Sequence, residues 1–338
     1  MNNQSAIRDK IFIPPSEIRT MLKKLPKRQF YWGPIVKGGI GLVVGPSKSG
    51  KTTLCENFSF CLSAGRENFL GRKLNHCNSK IGLALLEEPF DLRAERHISI
   101  FNSFSKDEQE RIDKHLLILN HHDGYLTQPK SWKKFTEDVK KADVDILVID
   151  SLTRLTNKKI SESDVASKVM KELRQLQRVL DITLIVIHHT TKLHDNKFPE
   201  MDNIKGSTEV VQESDFAIAL GKYNHQLCLK PIASRYTKPE NNYIILEIDD
   251  NQKFRVKGDA LEIDLKKASD GRYDNSGPTK LLETFKLLSQ DTEDGLVKTK
   301  ALIKKSEFNS RRVHEYKKKL VKEGFIEQTS KGLYKLIE

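Results

Sequence analysis

The chain has 338 residues, more than one hydrophobic core usually organises, so one large domain and a smaller companion are expected. Lys and Arg number 58 against 46 Asp and Glu, and the net charge of +12 favours a polyanionic partner such as nucleic acid over an acidic or neutral ligand. Four scattered cysteines (Cys55, Cys61, Cys77, Cys228) without a Cys-x-x-Cys pair argue against a zinc site or disulfide framework, and no stretch approaches the ~18 apolar residues of a membrane span, so a cytoplasmic protein without a membrane anchor is expected.

Residues 1–37 are proline-punctuated and carry a basic patch (Lys23, Lys24, Lys27, Arg28) before Phe30-Tyr31-Trp32; they read as an N-terminal arm. From there to residue 262, short apolar runs alternate with helical stretches: Ile40–Val44, Ile81–Leu86, Leu116–Leu119, Ile146–Ile149, Leu184–Ile187 and Ala217–Leu220. Runs of four to six apolar residues are what strands buried on both faces look like. Val165–Leu180, with Val169, Leu173, Leu176 and Leu180 near one face, reads as a covering helix. The pattern predicts an α/β domain over residues 38–262, a mostly parallel sheet flanked by helices, with Gln226–Ile232 and Tyr243–Ile248 as antiparallel strands extending it.

Polar residues crowd out apolar ones over 263–277, which predicts a linker. Beyond it, helices over Lys280–Leu288, Thr299–Lys305 and Ser310–Glu323 precede two short strands, and together these predict a winged helix-turn-helix over 278–338. That segment holds fourteen Lys and Arg against nine Asp and Glu. Arg311, Arg312, Lys317 and Lys318 on its third helix fit a duplex DNA groove or phosphate row, although a lysine row also serves as a solvated helix face.

Gly45-Pro46-Ser47-Lys48-Ser49-Gly50-Lys51-Thr52, followed by Thr53, stands between an apolar strand and a helix. Gly45 and Gly50 let the backbone curl so that N–H groups face phosphates; Ser49 and Thr53 flank the cradle, Lys51 adds a point charge, and the Thr52 hydroxyl suits Mg2+. The segment therefore predicts ATP with Mg2+ as ligands. Hydrolysis also needs a metal-side carboxylate and a group to activate water, each at a strand's end. Asp150 closes Ile146–Ile149 and fits the first role; Glu87 or Glu88, ending Ile81–Leu86, fits the second. His188-His189-Thr190-Thr191-Lys192 ends another strand and feeds a polar loop, an arrangement suited to sensing the γ-phosphate.

This order of motifs resembles the RecA-like ATPases, and within them the plasmid-replication RepA type related to DnaB-like hexameric helicases. The P-loop, Leu86-Glu87-Glu88-Pro89 with Arg96 downstream, Ile149-Asp150-Ser151 and Ile187-His188-His189-Thr190-Thr191-Lys192 carry the resemblance over roughly residues 30–250. It implies that Glu87 activates the water, that His189 senses the γ-phosphate, and that the protein forms a homo-oligomeric ring, a hexamer. It also implies an arginine finger given to a neighbour, for which Arg235 in Ser234-Arg235-Tyr236 is the candidate, with Ala233 where many relatives carry a lysine. The loop from Leu193 to Gly206, with Lys197 and Lys205, would line a channel for single-stranded DNA. A helicase or translocase of a mobile genetic element is the expectation; the alternative is an ATP-gated initiator, recombination mediator or regulator that does not unwind.

Overall fold

The computed structural model describes residues 12–23, 26–75, 79–120, 125, 128–191, 193, 197–206, 208–223, 226–238, 242–261, 277–292, 294–322, 326–330 and 332–336. By its contacts the chain divides into two compact units. The first holds most of a nine-stranded sheet: β1 (Ile40–Gly45), β2 (Ile81–Leu85), β3 (Leu116–Ile118), β4 (Ile146–Asp150), β5 (Thr183–His189), β6 (Phe216–Tyr223), β7 (Gln226–Ser234), β8 (Asn242–Ile248) and β9 (Phe254–Leu261). They lie in the order β9-β8-β7-β6-β1-β5-β4-β2-β3. The six from β6 to β3 run parallel, and β7 and β8 pair antiparallel, as the sequence suggested.

Every residue of β1, β2 and β4 is buried. Their aliphatic runs have no solvent face because helices cover the sheet, the usual fate of parallel strands joined by crossovers. The helices are α1 (Pro15–Leu22), α2 (Lys51–Ser63), α3 (Phe90–Asn102), α4 (Lys106–His115), α5 (Pro129–Ala142), α6 (Ser163–Leu180) and the short α7 (Thr208–Gln212). On α6, Ala166, Val169, Met170, Leu173 and Leu176 are buried at three- and four-residue spacing, one apolar stripe. Among the described residues no helix is long and apolar enough to cross a membrane.

Two departures concern the borders of this unit. Phe30–Trp32 and Ile35–Val36 form a hairpin, and Tyr31, Trp32, Ile35 and Val36 belong to the main hydrophobic core, so the end of the anticipated arm is part of the core. The aromatic triplet is the reason: Trp32 packs edge-on against Phe69 and donates its indole N–H to the Phe69 carbonyl at 2.8 Å. The sequence reading also missed β9, whose interrupted Phe254-Arg255-Val256-Lys257 alternation suits the edge of a sheet. The anticipated linker lies outside the described residues except for Gly277.

The second unit contains α8 (Gly277–Gln290), β10 (Val297–Lys298), α9 (Thr299–Lys305), α10 (Ser310–Lys322), β11 (Ile326–Ser330) and β12 (Leu333–Leu336). Its three strands lie in the order β10-β12-β11. Leu281, Phe285, Leu302, Val313, Leu320 and Ile326 form its own small core. On α10, Arg311, Arg312 and Lys318 are exposed, whereas Lys317 points inward. Its ammonium donates to the Thr299 hydroxyl at 3.0 Å and sits over the Tyr334 ring. Lys317 is thus a buried packing residue and leaves the basic face to its neighbours, because positions 313, 317 and 320 share the helix's inner stripe.

Asp215 ties the start of β1 to α6. Its Oδ2 accepts from the Ile40 N–H at 3.0 Å and from Arg174 Nη1 at 2.7 Å, and the residue is 4% exposed. Replacing it with alanine leaves a mostly buried guanidinium and a β1 amide unmatched. Asp215→Ala is expected to lower unfolding free energy by about 3 kcal/mol, read from denaturant midpoints at unchanged m-value; a loss below about 0.5 kcal/mol contradicts this account.

Candidate functional site

β1 ends at Gly45 and α2 starts at Lys51, and the turn between them has Lys48 and Gly50 at φ 61° and 93°. A side chain at Gly45 would come within 2.1 Å of the Leu220 carbonyl oxygen, so only glycine lets the loop leave the sheet here. The curl directs backbone N–H groups and the positive end of α2 into one concavity, the physical basis of an anion site. Ser49 lies in this loop, and the Thr53 carbonyl in the first turn of α2 accepts from Asn57 Nδ2 at 2.8 Å. The Lys51 side chain folds back over the loop, donating to the carbonyls of Gly45 at 3.1 Å and Pro46 at 2.6 Å. Burial lowers its pKa against the pull of Asp150 and Glu87.

Strand register brings the other groups to the same rim. Gly45 is opposite His189, and Asp150 is opposite Ile187 on one side and Leu85 on the other. Asp150 Oδ2 accepts from the Thr52 hydroxyl at 2.5 Å, while Asp150 Oδ1 and Ser49 Oγ are buried without a partner among the described residues. Burial raises the Asp150 pKa to about 6, with Thr52 lowering it and Glu87 raising it further. Orphaned oxygens beside a carboxylate that resists ionisation fit a divalent cation between Thr52 and Asp150.

The structure separates the two adjacent glutamates. Glu87 Oε1 accepts from the Ser151 hydroxyl and lies 3.3 Å from His189 Nε2. The His189 contact, opposed by burial and aided by Ser151, holds its pKa at about 2. Glu88 instead pairs with Arg96 Nη2 at 2.7 Å. Arg96 also forks onto Glu56 of α2 at 2.7 and 2.9 Å, and His97 Nε2 meets Glu56 at 2.8 Å. Arg93 braces the same turn, donating to the carbonyls of Leu85, Glu88 and Leu119. Glu56 and Arg93 were not singled out by sequence, and Ser151 entered only within Ile149-Asp150-Ser151; the polar Glu56 inside the buried run of α2 was the available signal.

Behind this rim, β5 is knitted to the polar loop that follows it. His188 is fully buried and its Nε2 meets the Lys205 carbonyl, the Lys205 N–H donates to the His189 carbonyl at 2.9 Å, and Thr190 and Ile204 form a bridge. Lys197 and Lys205 are exposed; Lys192 lies outside the described residues. Arg235 is not at this rim. It follows the antiparallel β7, its N–H donates to the Asp215 carbonyl at 2.9 Å and its guanidinium meets the Gln212 carbonyl, beside the start of β1. The six residues of β1 separate it from its own P-loop by about 17 Å along the strand.

The family model described as AAA domain matches residues 9–195, more than half the chain. No curated protein matches the chain. The fold is similar to a solved ATPase domain, at TM-score 0.51 and 16% identity over 65% of this chain and 85% of that one. It is also similar to a DnaB-like replicative helicase studied with its primase interactions, at TM-score 0.54 and 12% identity over 73% of this chain and 67% of that one. The first unit is thus a RecA-like P-loop fold, as the motif order indicated.

Burial drives the His188 pKa down to about 4, with the Lys205 carbonyl opposing. The unfolded chain then binds the extra proton between pH 6.5 and 4, so this residue's contribution is intact above pH 6.5 and is lost as pH falls, by about 3 kcal/mol in all. His188→Gln is expected to flatten the stability profile across that interval in urea titrations at stepped pH, while an unchanged slope contradicts the buried neutral imidazole.

Proposed function

The chain belongs to the AAA-domain family, and we propose that it is an ATP-driven DNA helicase or translocase of the RepA type, carried by a mobile genetic element and working as a ring, a hexamer. The observation that carries the reading is the placement of Glu87 between Ser151 and His189, next to the Thr52–Asp150 pair, with Arg235 at the opposite end of β1. The first group is what hydrolysis needs on one subunit, and the second is a cation placed for another subunit's nucleotide.

In this reading the P-loop N–H groups and Lys51 hold the phosphates. Thr52 and Asp150 hold Mg2+, which when bound neutralises charge on the β and γ phosphates. Glu87, ionised across the neutral range, accepts the proton of the attacking water and orients it in line. Glu88 is the wrong candidate for that work because Arg96 already holds it. His189 touches Glu87 through its side chain and the 190–206 loop through its carbonyl, so loss of the γ-phosphate is felt at the loop. Lys197, Lys205 and the loop's backbone amides contact single-stranded DNA in the channel. Arg235 completes the neighbour's site, supplying charge as ATP is cleaved.

The second unit acts as a winged helix that holds duplex DNA through Arg311, Arg312 and Lys318 on α10. Its helix–strand–helix–helix–hairpin order and the exposed basic face support that role.

Arg235→Ala is expected to keep nucleotide affinity within about two-fold and to cut turnover by about 10³-fold. Mixing it with Glu87→Gln restores turnover, since hybrid interfaces then carry both an intact Arg235 and an intact Glu87; no recovery on mixing refutes action between subunits. For the motor itself, a forked-DNA assay beside Lys51→Ala decides. Strand separation that needs ATP and Lys51 is expected, whereas DNA-stimulated hydrolysis without separation indicates the ATP-gated initiator or mediator.

A further inference from the structure

A second cavity, of about 430 Å³, opens on the far side of Glu87 from the P-loop, off the carboxyl ends of β2 and β3. Its size falls in the range of ligand pockets, about 300–1,000 Å³, and ligands of parallel α/β sheets sit at such strand ends. We propose that this pocket binds one nucleotide unit, an aromatic base with its phosphate, distinct from the nucleotide held by the P-loop.

Two cations in its wall make no direct ion pair among the described residues, although Glu56 and Glu88 act on Arg93, and Glu87 on Arg154, at longer range. Arg93 is 2% exposed and donates only to the neutral carbonyls of Leu85, Glu88 and Leu119, and its Nε has no partner among the described residues. A desolvated guanidinium whose hydrogen bonds all go to neutral carbonyls is balanced only by these more distant carboxylates, and an anion in the pocket would be closer. Arg154, on the turn after β4, is exposed and makes no side-chain hydrogen bond or ion pair among the described residues. The two carboxylates in the same wall are already engaged, Glu87 by Ser151 and His189 and Glu88 by Arg96. Each wall carboxylate thus faces a cation, Glu88 through Arg96 and the ionised Glu87 at longer range through Arg154, so phosphate meets a wall whose negative charge is offset by arginine.

Aromatic surface completes the chemistry. The Phe90 ring is 44% exposed at the pocket, with the Arg93 guanidinium 5.4 Å from its centroid, and Tyr125 is 39% exposed opposite. A water-facing ring beside an arginine is a stacking platform for a base. Arg93 also holds the carbonyls of Leu85 and Glu88, on either side of Glu87, so an occupant is mechanically linked to that carboxylate. Only this link to turnover rests on the reading of Glu87 given above; the binding does not.

The same chemistry comes from a free nucleotide or from one unit of a single-stranded nucleic acid, and two arms separate them. Phe90→Ala and Arg154→Ala remove exposed groups, and thermal unfolding with fluorescent ADP binding checks the fold and the P-loop. In the first arm, anisotropy with labelled oligo-dT in the presence of a non-hydrolysable ATP analogue should show about ten-fold weaker binding for each variant, the scale of one lost stack or phosphate contact. In the second, the Lys51→Ala protein should retain binding of fluorescent ADP that Phe90→Ala removes. A defect in the first arm assigns the pocket to a nucleic acid unit, and one in the second to a free nucleotide. Wild-type behaviour of both variants in both arms overturns the pocket. Failure to unwind a fork with the oligo-dT defect present sinks the motor and leaves the pocket standing.

Discussion

A carboxylate inside the P-loop helix sets the geometry around it. Glu56 is fully buried on α2, and a charge there is tolerable only if it is paired and hydrogen-bonded. Arg96 and His97 of α3 meet that demand: burial pushes the Glu56 pKa up, but hydrogen bonds from His97 and Arg96 outweigh it and keep the group in its ionised range. Because Arg96 also holds Glu88, the helix that starts at the phosphate cradle and the turn that carries Glu87 cannot move independently without breaking a desolvated pair. The arrangement costs desolvation and fixes the P-loop helix relative to the turn that carries Glu87.

Parallel register does the rest. Adjacent parallel strands end at one rim, and here Gly45, His189, Asp150 and the chain leading to Glu87 reach it from four strands. The antiparallel return of β7 carries Arg235 the other way, to the start of β1. One sheet therefore has the P-loop and the strand-end carboxylates at one edge, and at the other the Arg235 guanidinium, which meets the Gln212 carbonyl and lies 3.8 Å from Asp215 Oδ1.

The second unit shows the limit of reading charge from a helix. Six basic residues in α10 look alike in sequence, yet Lys317 lies on the stripe with Val313 and Leu320 and spends its ammonium on Thr299 and the Tyr334 ring. Lysine permits this because its apolar stem packs while its head finds an acceptor. Likewise Phe30-Tyr31-Trp32, preceded by lysines and an arginine, looked like an arm, but aromatic area of that size is buried wherever the fold offers a wall.

The parallel strands, the P-loop and the carboxylates at strand ends were legible in the sequence, because these depend on local requirements: apolar runs with no solvent face, glycines where a side chain has no room, and a charge at a strand's end; the edge strand β9, with its interrupted alternation, was not. Asp150 closing Ile146–Ile149 and Gly45 closing Ile40–Val44 needed no partner to be recognised. What required the folded chain was the pairing of Glu88 with Arg96 while Glu87 meets Ser151, the position of Arg235 away from its own P-loop, and the meeting of Arg93 and Arg154 at one pocket. Those outcomes turn on which distant side chain reaches a group first, and a carboxylate next to another in sequence carries no mark of whether an arginine of α3 will take it.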